Sequence, residues 1–124
     1  MTDRLLDSVI IIDHLNGIDQ ATEFISNLDP SRTAVSVITR AEILAGLDVN
    51  SQAMAKTLLD QYQTFVIDKA VADIAANLRR QYRWKLPDAF QAALSQHHGT
   101  RLVTRNTKDF NPERYDFVEV PYTR

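Results

Sequence analysis

The chain has no cysteine, which removes disulfides, thiolate zinc sites and a catalytic thiol together. No apolar run approaches membrane length: the longest, residues 9–12, falls far short of the ~20 apolar residues that cross a bilayer. Nothing resembles a secretory leader, because Met1 is soon followed by charged Asp3 and Arg4; the expectation is a cytoplasmic protein with no membrane partner. A strong positive excess, the mark of a general nucleic-acid-binding domain, is missing too, since 14 basic residues meet 16 acidic ones for a net charge of −2. There is no internal repeat, low-complexity tract or linker. With 44% apolar and 24% charged residues, what is left is one globular domain spanning residues 1–124.

Within it, short β-branched runs alternate with longer stretches of helical period, the pattern of an α/β fold with a mostly parallel sheet of about five strands. Strands are expected at residues 4–7, 33–37, 64–67, 101–104 and, more weakly patterned, 117–120. Helices are expected at 9–15, 18–26, 38–47, 51–62, 69–82 and 87–98. The last has the clearest boundaries: Pro87 stands in its first turn, Asp88 lies beside the positive helix end, and Gly99 closes it. In an open parallel sheet ligands bind at the carboxyl ends of the strands. Asp7 and Thr104 fall at such ends.

Four acids, Asp7, Glu42, Asp88 and Asp109, each occur where an apolar run gives way to a turn or helix start. Each has an ordinary explanation beside a functional one. Asp7 and Ser8 follow the first strand and suit a helix cap as well as a site. Glu42 lies one turn after Ile38 and three residues before Ala45, so it shares a face with residues expected to pack inward, unless the helix is rotated to trade the exposure of Glu42 and Leu44. Asp88 gains from the helix dipole wherever it points, while the small stripe Asp88, Ala92, Ser95 would leave space beside it. Thr104, Asn106 and Asp109 supply three oxygen donors in a loop that would be polar in any case. Asp13 reads as an exposed helical acid.

Taken together, oxygen donors without cysteine or clustered histidine select Mg2+ or Mn2+ over zinc. Two unit charges ~4 Å apart repel by about 4 kcal/mol at an effective dielectric of 20, so three or four carboxylates sharing a cleft call for a cation.

In this order the segments resemble the PIN-domain nucleases, most closely the VapC toxins of bacterial toxin–antitoxin pairs. The matching stretches are Leu5-Leu6-Asp7-Ser8 with Ile11-Ile12-Asp13, Val35-Ser36-Val37-Ile38-Thr39-Arg40-Ala41-Glu42-Ile43-Leu44-Ala45-Gly46-Leu47, Leu86-Pro87-Asp88-Ala89 with Ala92-Ala93, and Leu102-Val103-Thr104-Arg105-Asn106-Thr107-Lys108-Asp109-Phe110. The resemblance covers essentially the whole chain. It implies a three-layer fold, with the sheet between helices, and a Mg2+- or Mn2+-dependent endoribonuclease silenced by a cognate antitoxin and assembled as a homodimer. Asp7, Glu42 and Asp88 would be its core acids and Asp109 the fourth, supported by Ser8, Thr104 and Asn106. The chain departs from the family in having Ser8-Val9 where Thr-Asn is usual, and Asn106 where a carboxylate is common.

An RNA substrate calls for positive charge, and the candidates are Arg79, Arg80, Arg83 and Lys85 before Asp88, with Arg40 and Arg105 near other acids. Basic residues are also favoured at a helix C-terminus for its own sake. Trp84 is a candidate for base stacking and equally for the core or an interface. Two other classes of function compete. A non-catalytic binding module would use the stripe Met54, Leu58, Tyr62 for a partner, and a Mg2+-dependent phosphoacceptor domain would use Asp68 after Val66-Ile67. The second lacks the paired acids and the Lys-Pro dipeptide such domains carry.

Overall fold

The structure, a computed structural model, describes residues 1–124. Five strands form one sheet in the order β3-β2-β1-β4-β5: β1 (Arg4–Leu6), β2 (Thr33–Ser36), β3 (Gln63–Phe65), β4 (Arg101–Val103) and β5 (Val118–Glu119). Every pairing is parallel. The expected strands are all present, and most are trimmed at the end where the chain turns into a helix or loop. Six helices join them: α1 (Ser8–Leu15), α2 (Asp19–Ser26), α3 (Val37–Ala45), α4 (Val49–Leu59), α5 (Lys69–Tyr82) and α6 (Leu86–His98). A single 3-10 turn at Pro30–Arg32, capped by Asp29, leads into β2; the sequence reading saw only a break there.

The central strands β1, β2 and β4 are buried on both faces because both are covered, whereas edge strand β3 exposes Gln63 and Thr64. Leu5 is in register with Ala34 and Leu102, and these join α5 and α6 in one core that also takes Trp84 and Phe110. Leu6 is in register with Val35 and Val103, which pack with Ile10, Ile11, Ile43 and Leu59 from α1, α3 and α4 in a second core. The result is the expected three-layer arrangement.

Local chemistry sets the helix starts. Asp7, Ser36, Asp48 and Asp68 cap α1, α3, α4 and α5 through bonds accepted from Ser8, Thr39, Ser51 and Val71 N–H groups. Pro87 begins α6 and Gly99, at φ 67°, ends it. Arg83, at φ 61°, is the one non-glycine residue with positive φ; it ends α5 and swings the chain into α6.

This order makes β1 the centre of the sheet. The chain moves outward through β2 and β3, then returns to the other side of β1 for β4 and β5. The carboxyl ends of β1 and β4 thus flank a switch point, the place where open parallel sheets bind their ligands.

Candidate active site

Asp7 follows β1 at that point, and its backbone N–H donates to the Val103 carbonyl of β4 at 2.9 Å. Its side chain is buried, 7% exposed, and almost fully partnered. Oδ1 accepts from Ser8 N at 2.9 Å and from Gln91 Nε2 at 3.2 Å, while Oδ2 accepts from Thr104 Oγ1 at 2.7 Å. The Thr104 hydroxyl, itself fully buried, accepts in turn from Asn106 N at 3.0 Å. Asn106 Nδ2 then donates to Asp109 Oδ2 at 3.1 Å. One chain of hydrogen bonds therefore runs from the end of β1 to the loop after β4.

Asp88 enters from the first turn of α6 and is half-buried. Its carboxyl is pushed up from the usual carboxylate range to about 6, first by burial and then by the charges of Asp7, Asp109 and Glu42, with Lys85 opposing them. Glu42 is raised as well, by burial of its carboxyl and by Asp7, the Ser8 hydroxyl counteracting. Asp7, Asp109 and Glu42 thus all lie within electrostatic reach of Asp88, and Asp7 within reach of Glu42. No three of them stand close enough together to form a ready-made metal-binding group.

The donor chemistry, carboxylate, hydroxyl and amide oxygen throughout, fits a hard divalent cation such as Mg2+ or Mn2+. Asp7, Asp88, Asp109 and Glu42 are the residues that would hold it.

Several expectations need correction. Thr39 and Ile43 form the buried face of α3, and both Glu42 and Ala45 are exposed. Glu42 borders a groove of about 250 Å³ between α1 and α3, beside Ile12, Leu15, Ile43 and Leu47. Ala92 and Ser95 do not leave space beside Asp88, for both are buried in packing. Asp13 is buried at 2% exposure instead of facing water. It accepts from Arg105 Nε at 2.7 Å and Nη2 at 3.2 Å, from the Tyr122 hydroxyl at 2.8 Å and from Arg124 at 3.1 Å. Gln91, 2% exposed, was missed; its only sequence signal is a polar side chain among the alanines of α6, one turn past Asp88.

Of the six basic candidates, three are engaged elsewhere. Arg105 holds Asp13, Arg40 Nη1 donates to Asp60 at 2.8 Å, and Arg79 Nη1 donates to the Trp84 carbonyl at 2.6 Å. Arg80, Arg83 and Lys85 are exposed and form no ion pair. Trp84 is buried in the core, stacked on Tyr82, its indole N–H donating to the Asp109 carbonyl at 3.1 Å; no face is left for a base. Of the stripe expected on the fourth helix, Tyr62 lies beyond the end of α4 and belongs to the core, while Met54 is 74% exposed.

A parallel α/β domain with four acids gathered at its switch point is the architecture of a PIN domain, and residues 4–116 match the PIN domain family. The chain belongs to that family. Over 98% of its length it is 32% identical to a chain of a toxin–antitoxin complex from Klebsiella pneumoniae, all of which is covered, with a TM-score of 0.89. The fold is shared at lower identity by a chain of DNA-bound VapBC from Salmonella typhimurium, with 21% identity, TM-score 0.81 and 98% and 100% of the two chains covered. It is shared too by a chain of FitAcB from Neisseria gonorrhoeae, at 23% identity, TM-score 0.79 and 95% and 97% coverage. No curated protein sequence matches the chain. No helix is long and apolar enough to cross a membrane.

The phosphoacceptor reading does not survive the topology. Receiver domains follow the order 2-1-3-4-5, whereas here β1 is central, and Asp68, after an edge strand, spends its carboxylate capping α5.

Proposed function

We propose that this protein is the toxin of a toxin–antitoxin pair, a Mg2+- or Mn2+-dependent endoribonuclease held silent by a cognate antitoxin. The observation that carries the reading is the gathering of Asp7, Glu42, Asp88 and Asp109 at the β1–β4 switch point, where Asp88 is held near 6 by burial and its acidic neighbours. Membership of the PIN family and likeness to a chain of a toxin–antitoxin complex support it.

Asp7, Asp88, Asp109 and Glu42 would hold the cation, which would supply an acidified water as nucleophile and offset charge growing on the phosphate. Asp7 is pinned by Ser8, Thr104 and Gln91, so it meets its ligand with little rotational freedom left to lose. Glu42, at the exposed edge and with its carboxyl raised, would accept a proton from the attacking water. Asn106 steadies Asp109. Arg80, Arg83 and Lys85 grip the RNA backbone without reading its sequence.

The antitoxin covers the same end of the sheet, in the groove bordered by Glu42, and the active assembly is a homodimer. Induced expression of the wild type against Asp7→Asn, followed by mapping of RNA ends, tests the reading. Growth arrest with discrete cuts bearing 5′-phosphate and 3′-hydroxyl ends, in the wild type alone, is expected. Cyclic phosphate ends would assign the nucleophile to the ribose, and equal cutting by Asp7→Asn would remove that residue from the site.

A further inference from the structure

Gln91 projects from α6 into the interior, where its helical neighbours Ala89, Ala92, Ala93 and Leu94 are all apolar and buried. Its amide nitrogen donates to Asp7 Oδ1 at 3.2 Å and to Thr39 Oγ1 at 2.9 Å. Its amide oxygen is buried and accepts from no group of the protein. A carboxylate only accepts, so the amide cannot turn over without facing Asp7 with a second lone pair. Burying a glutamine with one end unsatisfied costs stability that an apolar side chain of the same length would not. Packing alone gives no reason for this residue.

Its two bonds give one. Thr39 is set in the first turn of α3, three residues before Glu42, and its backbone N–H donates to Ser36 Oγ at 3.0 Å. Through Gln91, the tip of β1, the start of α3 and the helix bearing Asp88 meet at a single amide. Asp7 has a fixed donor on Oδ2 from Thr104; the Gln91 amide supplies the side-chain donor on the opposite oxygen and so fixes the plane of the carboxylate. We propose that Gln91 is a positioning residue, which acts through Asp7 to set the acidic cluster for its cation, with Thr39 in turn holding the Gln91 amide in place. The inference rests on the metal-dependent reading of the site given above.

Outer groups that orient a metal ligand are worth about 10–100-fold in metal affinity, and that is the readout. Mn2+ alone is titrated, by loss of the free-ion electron paramagnetic resonance signal, into wild type, Asp7→Asn, Gln91→Met, Thr39→Val and the Gln91→Met/Thr39→Val double variant, with unfolding of each followed in the absence of metal. Binding is expected in wild type and lost in Asp7→Asn. Gln91→Met weakens it by about 10–100-fold while its metal-free unfolding midpoint stays level or rises. Thr39→Val, which touches none of the four acids, gives a smaller loss in the same direction, and the double variant binds no more weakly than Gln91→Met. Wild-type affinity in Gln91→Met, alongside loss in Asp7→Asn, overturns the role of Gln91 and leaves the metal site standing. Additive losses in the double variant overturn the relay through Thr39. A wild type that takes up no Mn2+ overturns the metal-dependent reading and this inference with it.

Discussion

Asp88 sits near 6 because burial and then Asp7, Asp109 and Glu42 oppose its negative charge. A group raised on folding stabilises the fold fully below its unfolded pKa, and that contribution is lost as pH rises through the folded one. For Asp88 the metal-free protein therefore weakens between pH about 4 and about 6. Cation binding needs the charged form and displaces the proton, so Mn2+ affinity rises across the same interval. Titrations at pH 5 and 7.5 check this: affinity is greater at pH 7.5, and Asp88→Asn both abolishes binding and raises the metal-free melting temperature at that pH. Asp13 behaves oppositely. Burial alone would raise its carboxyl, but bonds from Arg105 and Tyr122 and the charges of Arg105 and Arg124 outweigh burial and hold it below the usual range. Its contribution is present above the unfolded pKa and lost as pH falls through the lowered one. Arg105→Ala strips the bidentate partner from a carboxylate 2% exposed, and with Tyr122 and Arg124 still bonded to Asp13 about 2 kcal/mol of stability is lost in urea unfolding at pH 7.

At the scale of elements, caps are the cheapest features to test and the easiest to read in advance. Asp68→Ala removes the bond accepted from Val71 N at 2.9 Å, with an expected loss of about 1 kcal/mol and no change in RNA cleavage. Urea unfolding and a cleavage assay separate it from a site residue. Strands such as Leu5-Leu6 and Leu102-Val103 were legible because both faces of a parallel sheet are buried and their residues run apolar. Helix α6 was legible because Pro87 and Gly99 punctuate it. The exposure of Glu42 was not legible: α3 is nine residues long, and Ile38 and Ile43 allow two rotations that only packing against α1 decides. Asp13 was misjudged because its partners, Arg105, Tyr122 and Arg124, lie about a hundred positions away and leave no local mark. Gln91 was missed for the same reason, since its meaning comes from Asp7 and Thr39 on other elements. What periodicity reveals is which face is apolar; it says nothing about a polar group that is buried because distant segments satisfy it.

For the whole molecule, the acids that define the switch point oppose the fold that assembles them. Three segments far apart in sequence bring Asp7, Glu42 and Asp88 together, and burial first, then repulsion from neighbouring acids, raises the carboxyls of Asp88 and Glu42. A cation that binds only the native state offsets that penalty, and its whole stabilising effect is RT ln(1 + [L]/Kd), about 2.7 kcal/mol at a hundredfold excess over Kd. For a domain of this length each kcal/mol moves the melting temperature by roughly 3–5 °C, so saturating Mn2+ at pH 7.5 raises it by about 10 °C. At pH 5 the rise shrinks, because Asp88 is then mostly protonated and the ion must first displace that proton. Asp7→Asn and Asp88→Asn show no rise at either pH, whereas Asp68→Ala, destabilised elsewhere, keeps the full increment from a lower start. Thermal melts of these four proteins, with Mn2+ or with chelator, decide the matter. A wild-type melting temperature unmoved through millimolar Mn2+ at pH 7.5 would mean that the carboxylates share a neighbourhood without sharing a cation.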